Sequence, residues 1–99
     1  MFDKMKGAYE LQKKARALQK ELKNTHFVGE ARGGEINVSV NGIQEIVSIE
    51  ISDEIKEQLS GASLGNEIKD ATNKAMKKAQ QHGSAKMREI SGGLGLPGM

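Results

Sequence analysis

The hydrophobic period of this 99-residue chain changes twice. From residue 2 to residue 24, Ala8, Leu11, Ala15, Leu18 and Leu22 recur at alternating steps of three and four. Met1 and Met5 extend the stripe, and nearly every other position is charged or Gln. That period predicts an amphipathic helix. Its narrow seam suits packing against another helix more than burial in a large core. At about 1.5 Å per residue the helix is roughly 35 Å long, so part of it is expected to project from so small a domain. The period then falls to two. Residues 27–32 form a short candidate strand closed by Gly33–Gly34, and Ile36, Val38 and Val40 alternate with Glu35, Asn37 and Ser39 as a half-buried strand. Asn41–Gly42 predicts a two-residue type I′ turn, because both residues tolerate positive φ. The returning strand sets Ile43, Glu45, Val47, Ile49 and Ile51 on one face and Gln44, Ile46, Ser48 and Glu50 on the other, with Ile46 pointing to partial cover on both sides.

The helical period then returns. Ser52 reads as an N-cap followed by Asp53 and Glu54 in a first turn, for a short helix through Leu59 that stops at Ser60–Gly61. After Ser63–Leu64–Gly65, Asn66 is expected to cap a second long helix. Its stripe is Ile68, Thr72, Ala75, Ala79, Gly83, Met87 and Ile90, with Met76 beside it. Gly83 costs about 1 kcal/mol relative to Ala and marks a place where the helix can bend. From Ser91 onward the chain is too rich in Gly to hold a helix. The expected architecture is a single α+β domain over residues 1–91, with a flexible tail over 92–99. Its order is helix, three-stranded antiparallel meander, short helix, long helix.

Composition narrows this picture. Three aromatics and 36% hydrophobic residues leave a small core of mostly Ile, Val, Leu, Met and Ala. A symmetric homodimer is an easy way for such a chain to complete it. Leu11, Leu18, Leu22, Ile36, Val38, Val40, Val47 and Ile49 are assigned to core or dimer interface; which strand residues face a partner stays open. The absence of Cys excludes disulfides, thiolate zinc sites and a cysteine nucleophile. No apolar run approaches the roughly 18 residues of a membrane span, and Asp3 and Glu10 argue against a transit peptide. A cytoplasmic protein is expected.

Charge supplies the functional signal. Residues 1–24 hold seven Lys/Arg (Lys4, Lys6, Lys13, Lys14, Arg16, Lys20, Lys23) against three acids, a net +4. Residues 25–58 hold only Arg32 and Lys56 against seven acids, a net −5, and residues 59–99 return to +3. A total of +2 thus hides two basic helical ends around an acidic middle, which makes a polyanion the first partner to consider. Candidate phosphate-binding residues are Lys6, Lys13, Lys14, Arg16 and Lys20 on the first helix and Lys74, Lys77 and Lys78 on the last, the latter forming a patch with Gln81 by three- and four-residue spacing. Twelve Lys against three Arg favour phosphate contact over bidentate base reading. Gln12, Gln19, Gln80, Gln81, Asn73, Arg16 and Arg88 are the side chains able to reach base edges. The scarcity of aromatics argues against stacking on single strands.

Other chemistry is thin. His26 and His82 stand far apart with no ligand spacing, so no metal site and no cofactor are expected. Asp53, Glu54 and Glu57 are explained by the helix dipole. Gly92, Gly93 and Gly95 follow no strand and precede Pro97, which is not a phosphate loop. With no nucleophile–base pair, neither catalysis nor a small-molecule substrate is expected.

Several stretches together resemble a known family. These are the Lys/Gln-rich helix from Met5 to Leu22, Val28–Gly29–Glu30 and a Gly pair, then Val38–Ser39–Val40–Asn41–Gly42 and Val47–Ser48–Ile49–Glu50–Ile51. Asp70–Ala71–Thr72–Asn73–Lys74–Ala75 and the Ser91–Gly92–Gly93 to Leu96–Pro97–Gly98 ending complete the set. In order and spacing they resemble the YbaB/EbfC family of bacterial nucleoid-associated proteins over nearly the whole chain. The resemblance implies a tweezer-like homodimer with paired sheets at its centre and projecting helices, duplex DNA binding, and a role in nucleoid organisation and gene regulation. The chain departs from the family pattern at Gly61–Ala62–Ser63–Leu64–Gly65, which is shorter and richer in Gly than the usual acidic stretch, and at His82–Gly83. Two other readings stand beside it. One is a protein-interaction module using the Leu11/Ala15/Leu18/Leu22 seam. The other is membrane attachment through Phe2, Met5 and Tyr9 with flanking lysines.

Overall fold

The computed structural model describes residues 2–93, with side chains from residue 7 to residue 90. The order is α1 (Phe2–Lys23), β1 (His26–Ala31), β2 (Ile36–Asn41), β3 (Ile46–Ile51), α2 (Asp53–Gln58) and α3 (Gly61–Gly93). The three strands form one antiparallel sheet in the order β1-β2-β3, the meander that the alternation predicts.

Each turn of the meander is set by particular residues. Between β1 and β2, Arg32, Gly33 and Gly34 all take positive φ (54°, 64° and 92°). Arg32 is the costly member, since a left-handed conformation crowds its Cβ. Its guanidinium Nε donates to Glu67 Oε1 on α3 at 3.1 Å and pins the turn to the helix. Between β2 and β3 the two-residue turn expected at Asn41–Gly42 does not form. The loop is one residue longer: Asn41 N–H donates to the Glu45 carbonyl at 2.9 Å, and Gln44, at φ 66°, takes the left-handed position. The Asn41 side chain explains the change. It is buried, its Oδ1 accepts from the amides of Ile43 (3.1 Å) and Glu45 (2.9 Å), and its Nδ2 donates to Glu45 Oε1. Gly42 is not at positive φ. A Cβ there would lie 2.7 Å from the Leu22 carbonyl oxygen, and its amide donates to that same oxygen at 2.7 Å. Gly42 is thus the seat of the C-terminus of α1.

The register slips between Ser39 and Val40, so that Ser39 pairs with Ser48 but Val40 with Ile46. Val47 is the extra residue of a β-bulge. Simple alternation sets Ile46 opposite to Val47, whereas the bulge brings Ile46 into Val40's row.

The core lies between α3 and the first two strands. Ile36, Val38 and Val40 are fully buried against Ala71, Ala75 and Ala79, with Ala31 and Ile55 closing the cluster and Phe27, Ile51, Leu59, Leu64, Ile68 and Met76 packed around it. The small residues let the helix backbone approach very closely: a Cβ on Gly29 would fall 1.9 Å from the Ala71 carbonyl oxygen. β3 lies beyond the cover of α3. Ile46, Val47 and Ile49 stay 51%, 48% and 45% exposed, so this strand is an unshielded apolar edge.

α2 starts as its sequence indicates, with Ser52 Oγ accepting from Ile55 N–H at 3.2 Å. α3 starts earlier and ends later than its sequence suggests. Ser60 supplies the cap expected of Asn66: its Oγ accepts from Ser63 N–H at 3.2 Å and its carbonyl from Leu64 N–H at 2.8 Å. Gly61–Gly65 is therefore the first turn of the helix and not a linker, held by the packing of Leu64 and Ile68. The helix passes Gly83 without interruption and includes Ser91, Gly92 and Gly93, where the glycine content argued for a tail. Residues 94–99 of that stretch lie outside the described residues.

α1 is attached along one side only. Leu18 is buried, Leu22 half-buried and Leu11 44% exposed. Leu22 lines a depression with Gly83 and Met87, while Lys14 and Leu18 lie beside Glu89 and Ile90, so α1 and the far half of α3 run antiparallel. A link of 3.5 Å between Lys86 and Glu21 flanks the seam. The seam's helix partner is therefore a segment of the same chain. The molecule measures 65 × 23 × 18 Å with a radius of gyration of 18.7 Å, against about 13 Å for a compact chain of this length. The helix pair is a projecting arm.

Candidate nucleic-acid interface

The exposed face of α3 follows from helical periodicity. With Ala71, Ala75 and Ala79 turned to the sheet, steps of three and four bring Lys74, Lys77, Lys78, Gln81, Ser84 and Arg88 to the solvent side. Two adjoining depressions run along it, one lined by Gly29, Glu30, Lys74, Lys77, Lys78 and Gln81, the next by Lys77, Gln80, Gln81, Ser84, Ala85 and Arg88. From Lys74 to Arg88 the strip is about 21 Å long at 1.5 Å per residue. The sequence patch of Lys74, Lys77, Lys78 and Gln81 is its first half. Arg88, singled out from sequence only as a possible base reader, extends the same face, and continuing the period from Lys77 through Gln81 and Ser84 recovers it.

Cations on this face keep their charge unneutralised. Among the described residues the ion pairs involve Arg32 with Glu67, Lys56 with Asp53, and Lys86 with Glu21 and Glu89. Lys13, Lys14, Arg16, Lys20, Lys74, Lys77, Lys78 and Arg88 enter none of them. Lys74 and Lys78 are instead bound to backbone: Lys74 Nζ donates to the Glu30 carbonyl at 3.1 Å and Lys78 Nζ to the Val28 carbonyl at 2.7 Å. Nothing in the residue order announces these contacts, which arise only because α3 crosses β1 at Gly29.

The candidates on α1 occupy a different surface. Lys13, Arg16 and Lys20 are exposed on the side of α1 opposite the Leu11/Leu18/Leu22 seam, and Lys14 flanks the seam near Lys86 and Glu89. Lys6 lies in α1, with its side chain outside the described ones. Because α1 packs on the Gly83/Met87/Ile90 side of α3, its basic face points away from the strip on α3. Within one protomer the two sets form separate surfaces and not one patch. Phe2 and Met5 of the membrane reading also have side chains outside the described ones, and among the described residues no helix is long and apolar enough to cross a membrane.

Both histidines lie away from these surfaces' chemistry. His82 packs on Phe27 with ring centroids 5.2 Å apart, at the root of the arm, and its Nε2 is buried without a hydrogen-bond partner. His26 is exposed at the start of β1, and among the described residues no group of three metal-ligating side chains gathers.

Comparison with known proteins bears on the family and the fold. The model of the YbaB/EbfC DNA-binding family matches residues 1–94. A nucleoid-associated protein of Clostridium acetobutylicum, CA_C0126, is 35% identical over 95 residues, covering 96% of this chain and 85% of that one. A nucleoid-associated protein of Clostridium kluyveri is 38% identical over 95 residues, covering 96% and 83%. The crystal structure of the uncharacterized protein HP0035 from Helicobacter pylori has the same fold, with a TM-score of 0.69 at 22% identity over 84% of this chain and 96% of that one. Helix, meander, short helix and long helix, with a match over the full described length, together assign the chain: it belongs to the YbaB/EbfC DNA-binding family.

Proposed function

We propose that this protein is a non-enzymatic, nucleoid-associated protein that binds duplex DNA as a homodimer through the basic faces of α3 and α1, and so contributes to nucleoid organisation and gene regulation. The observation that carries the reading is the strip from Lys74 to Arg88, four cations on one exposed helix face with no carboxylate partner among the described residues. Such a row gains affinity by releasing counterions from phosphates, which demands charge and little sequence information. Sequence preference is accordingly weak or set by duplex shape. The acidic residues Glu45, Glu50, Asp53, Glu54 and Glu57 around β3 and α2 repel a polyanion from the centre and leave the arms to make the contact.

The dimer is supported by β3. A second copy of this chain laid against Ile46, Val47 and Ile49 would cover an apolar edge that the protomer leaves open. It would also offer DNA the basic faces of two arms, which one protomer turns in different directions.

Fluorescence anisotropy on a labelled random-sequence duplex, titrated from low to physiological salt, tests the proposal. With about six to eight phosphate contacts per dimer, log K falls against log salt with a slope of roughly −5 to −7. Absence of binding at low salt would remove DNA as the partner.

A further inference from the structure

We infer that Lys74 and Lys78, fixed on the free edge of β1, form a preorganised seat for two consecutive phosphates of one DNA strand; the inference rests on the DNA-binding reading and deepens it. In an antiparallel strand, residues i and i+2 turn their backbone groups to the same side. β1 has a partner only on its β2 side, so the Val28 and Glu30 carbonyls that bind the two lysines point to the open edge. The carbonyls are about 6.8 Å apart along the strand, at 3.4 Å per residue. The two ammonium groups anchored on them therefore stand at a separation comparable with that of neighbouring phosphates on one strand. Each ammonium has three N–H donors and gives one to the strand, which leaves two directed outward. An unanchored surface lysine loses side-chain freedom when it meets a phosphate. This pair has already given up much of that freedom in the folded protein, so more of the contact's gain remains for binding.

The surroundings match this use. Lys77 and Gln81 line the same depression and add a cation and neutral donors on the Lys78 side. Glu30 also lines it, beside Lys74, but alternation with the buried Gly29 and Ala31 turns its side chain to the sheet face away from α3. The lysines also shield the backbone of an edge strand, a role such residues fill in many sheets. Shielding alone has no effect on the salt dependence of DNA binding, and this separates the two roles.

The test uses the full chain and the same labelled duplex. Wild-type binding with a steep salt slope establishes the underlying reading independently. In K74Q/K78Q, which removes four lysines from the dimer, the slope becomes shallower by about 3.6, at roughly 0.9 per phosphate contact, and affinity near physiological salt falls about tenfold or more. The single variants K74Q and K78Q, each expected to make the slope shallower by about 1.8, serve if the Gln pair fails to fold, and a wild-type slope in both overturns the seat. A wild-type slope in K74Q/K78Q would overturn the seat while leaving DNA binding by the arms intact. Failure of the wild-type protein itself to bind overturns both.

Discussion

Two glycines in this chain have opposite reasons for being there, and only one of them is needed. Gly29 lies where α3 crosses β1, and an added Cβ would meet the Ala71 carbonyl oxygen at 1.9 Å and the Ala75 amide nitrogen at 2.7 Å. Both are backbone atoms of a helix held by the whole core, so neither can yield alone. Gly29→Ala is expected to destabilise the fold by about 2–3 kcal/mol, in the range of overpacked cores, as read from denaturant unfolding. Gly83 lies in regular helix, and a Cβ added there would meet no atom within 4 Å. Gly83→Ala is therefore expected to add about 1 kcal/mol by helix propensity, which raises the melting temperature by roughly 4–8 °C in a domain of this size. Sequence alone points to Gly83 as a bend and marks Gly29 only as part of a family resemblance, because a residue order holds no information on which backbones come into contact.

At the scale of elements, capping decides where α3 begins. Asn66 is a sound N-cap by residue type, but Ser60 takes the role, and Gly61–Gly65 becomes helix despite its poor propensity. The burial of Leu64 and Ile68 against the core outweighs the local preference of two glycines. Ser60→Ala should cost about 1 kcal/mol. Its signature is faster amide exchange confined to residues 61–65, with β1 and β2 unchanged, which native-state hydrogen exchange reads directly. The hairpin between β2 and β3 shows a similar override. Asn41–Gly42 has the letters of a tight turn, yet the amide bonds of the Asn41 side chain and the seat for Leu22 at Gly42 produce a longer loop. The seam of α1, by contrast, was legible over Leu11 to Leu22, since steps of three and four have one meaning on a helix surface, and α3 packs along it with Leu18 buried.

For the molecule as a whole, the open question posed by the fold is what covers β3. A protomer that leaves Ile46, Val47 and Ile49 about half exposed on an edge strand has a surface suited to self-association. Ile49→Asp is expected to convert a dimer into a monomer in sedimentation velocity. The core side chains Ile36, Val38 and Val40 remain covered by α3 in the variant, so its circular dichroism should stay close to that of the wild type. If two arms grip one duplex, the same variant also lowers DNA affinity while leaving the basic strip of each protomer unaltered. An unchanged sedimentation coefficient would show that β3 is not the interface.

Periodicity and the counting of residues were enough to establish the order of elements, the meander, the seam of α1 and the placement of positive charge at the two helical ends. Ile36, Val38 and Val40 were recognisable as core for the same reason. Packing between distant segments settled the rest. It set the start of α3 at Ser60, the bulge at Val47, the close crossing at Gly29 and the division of the basic residues into two surfaces facing different ways. It also turned Lys74 and Lys78 from two members of a charged patch into a pair held on strand carbonyls. These features depend on which segments far apart in the chain come into contact, and the energy of such contacts is absent from any local stretch of residues.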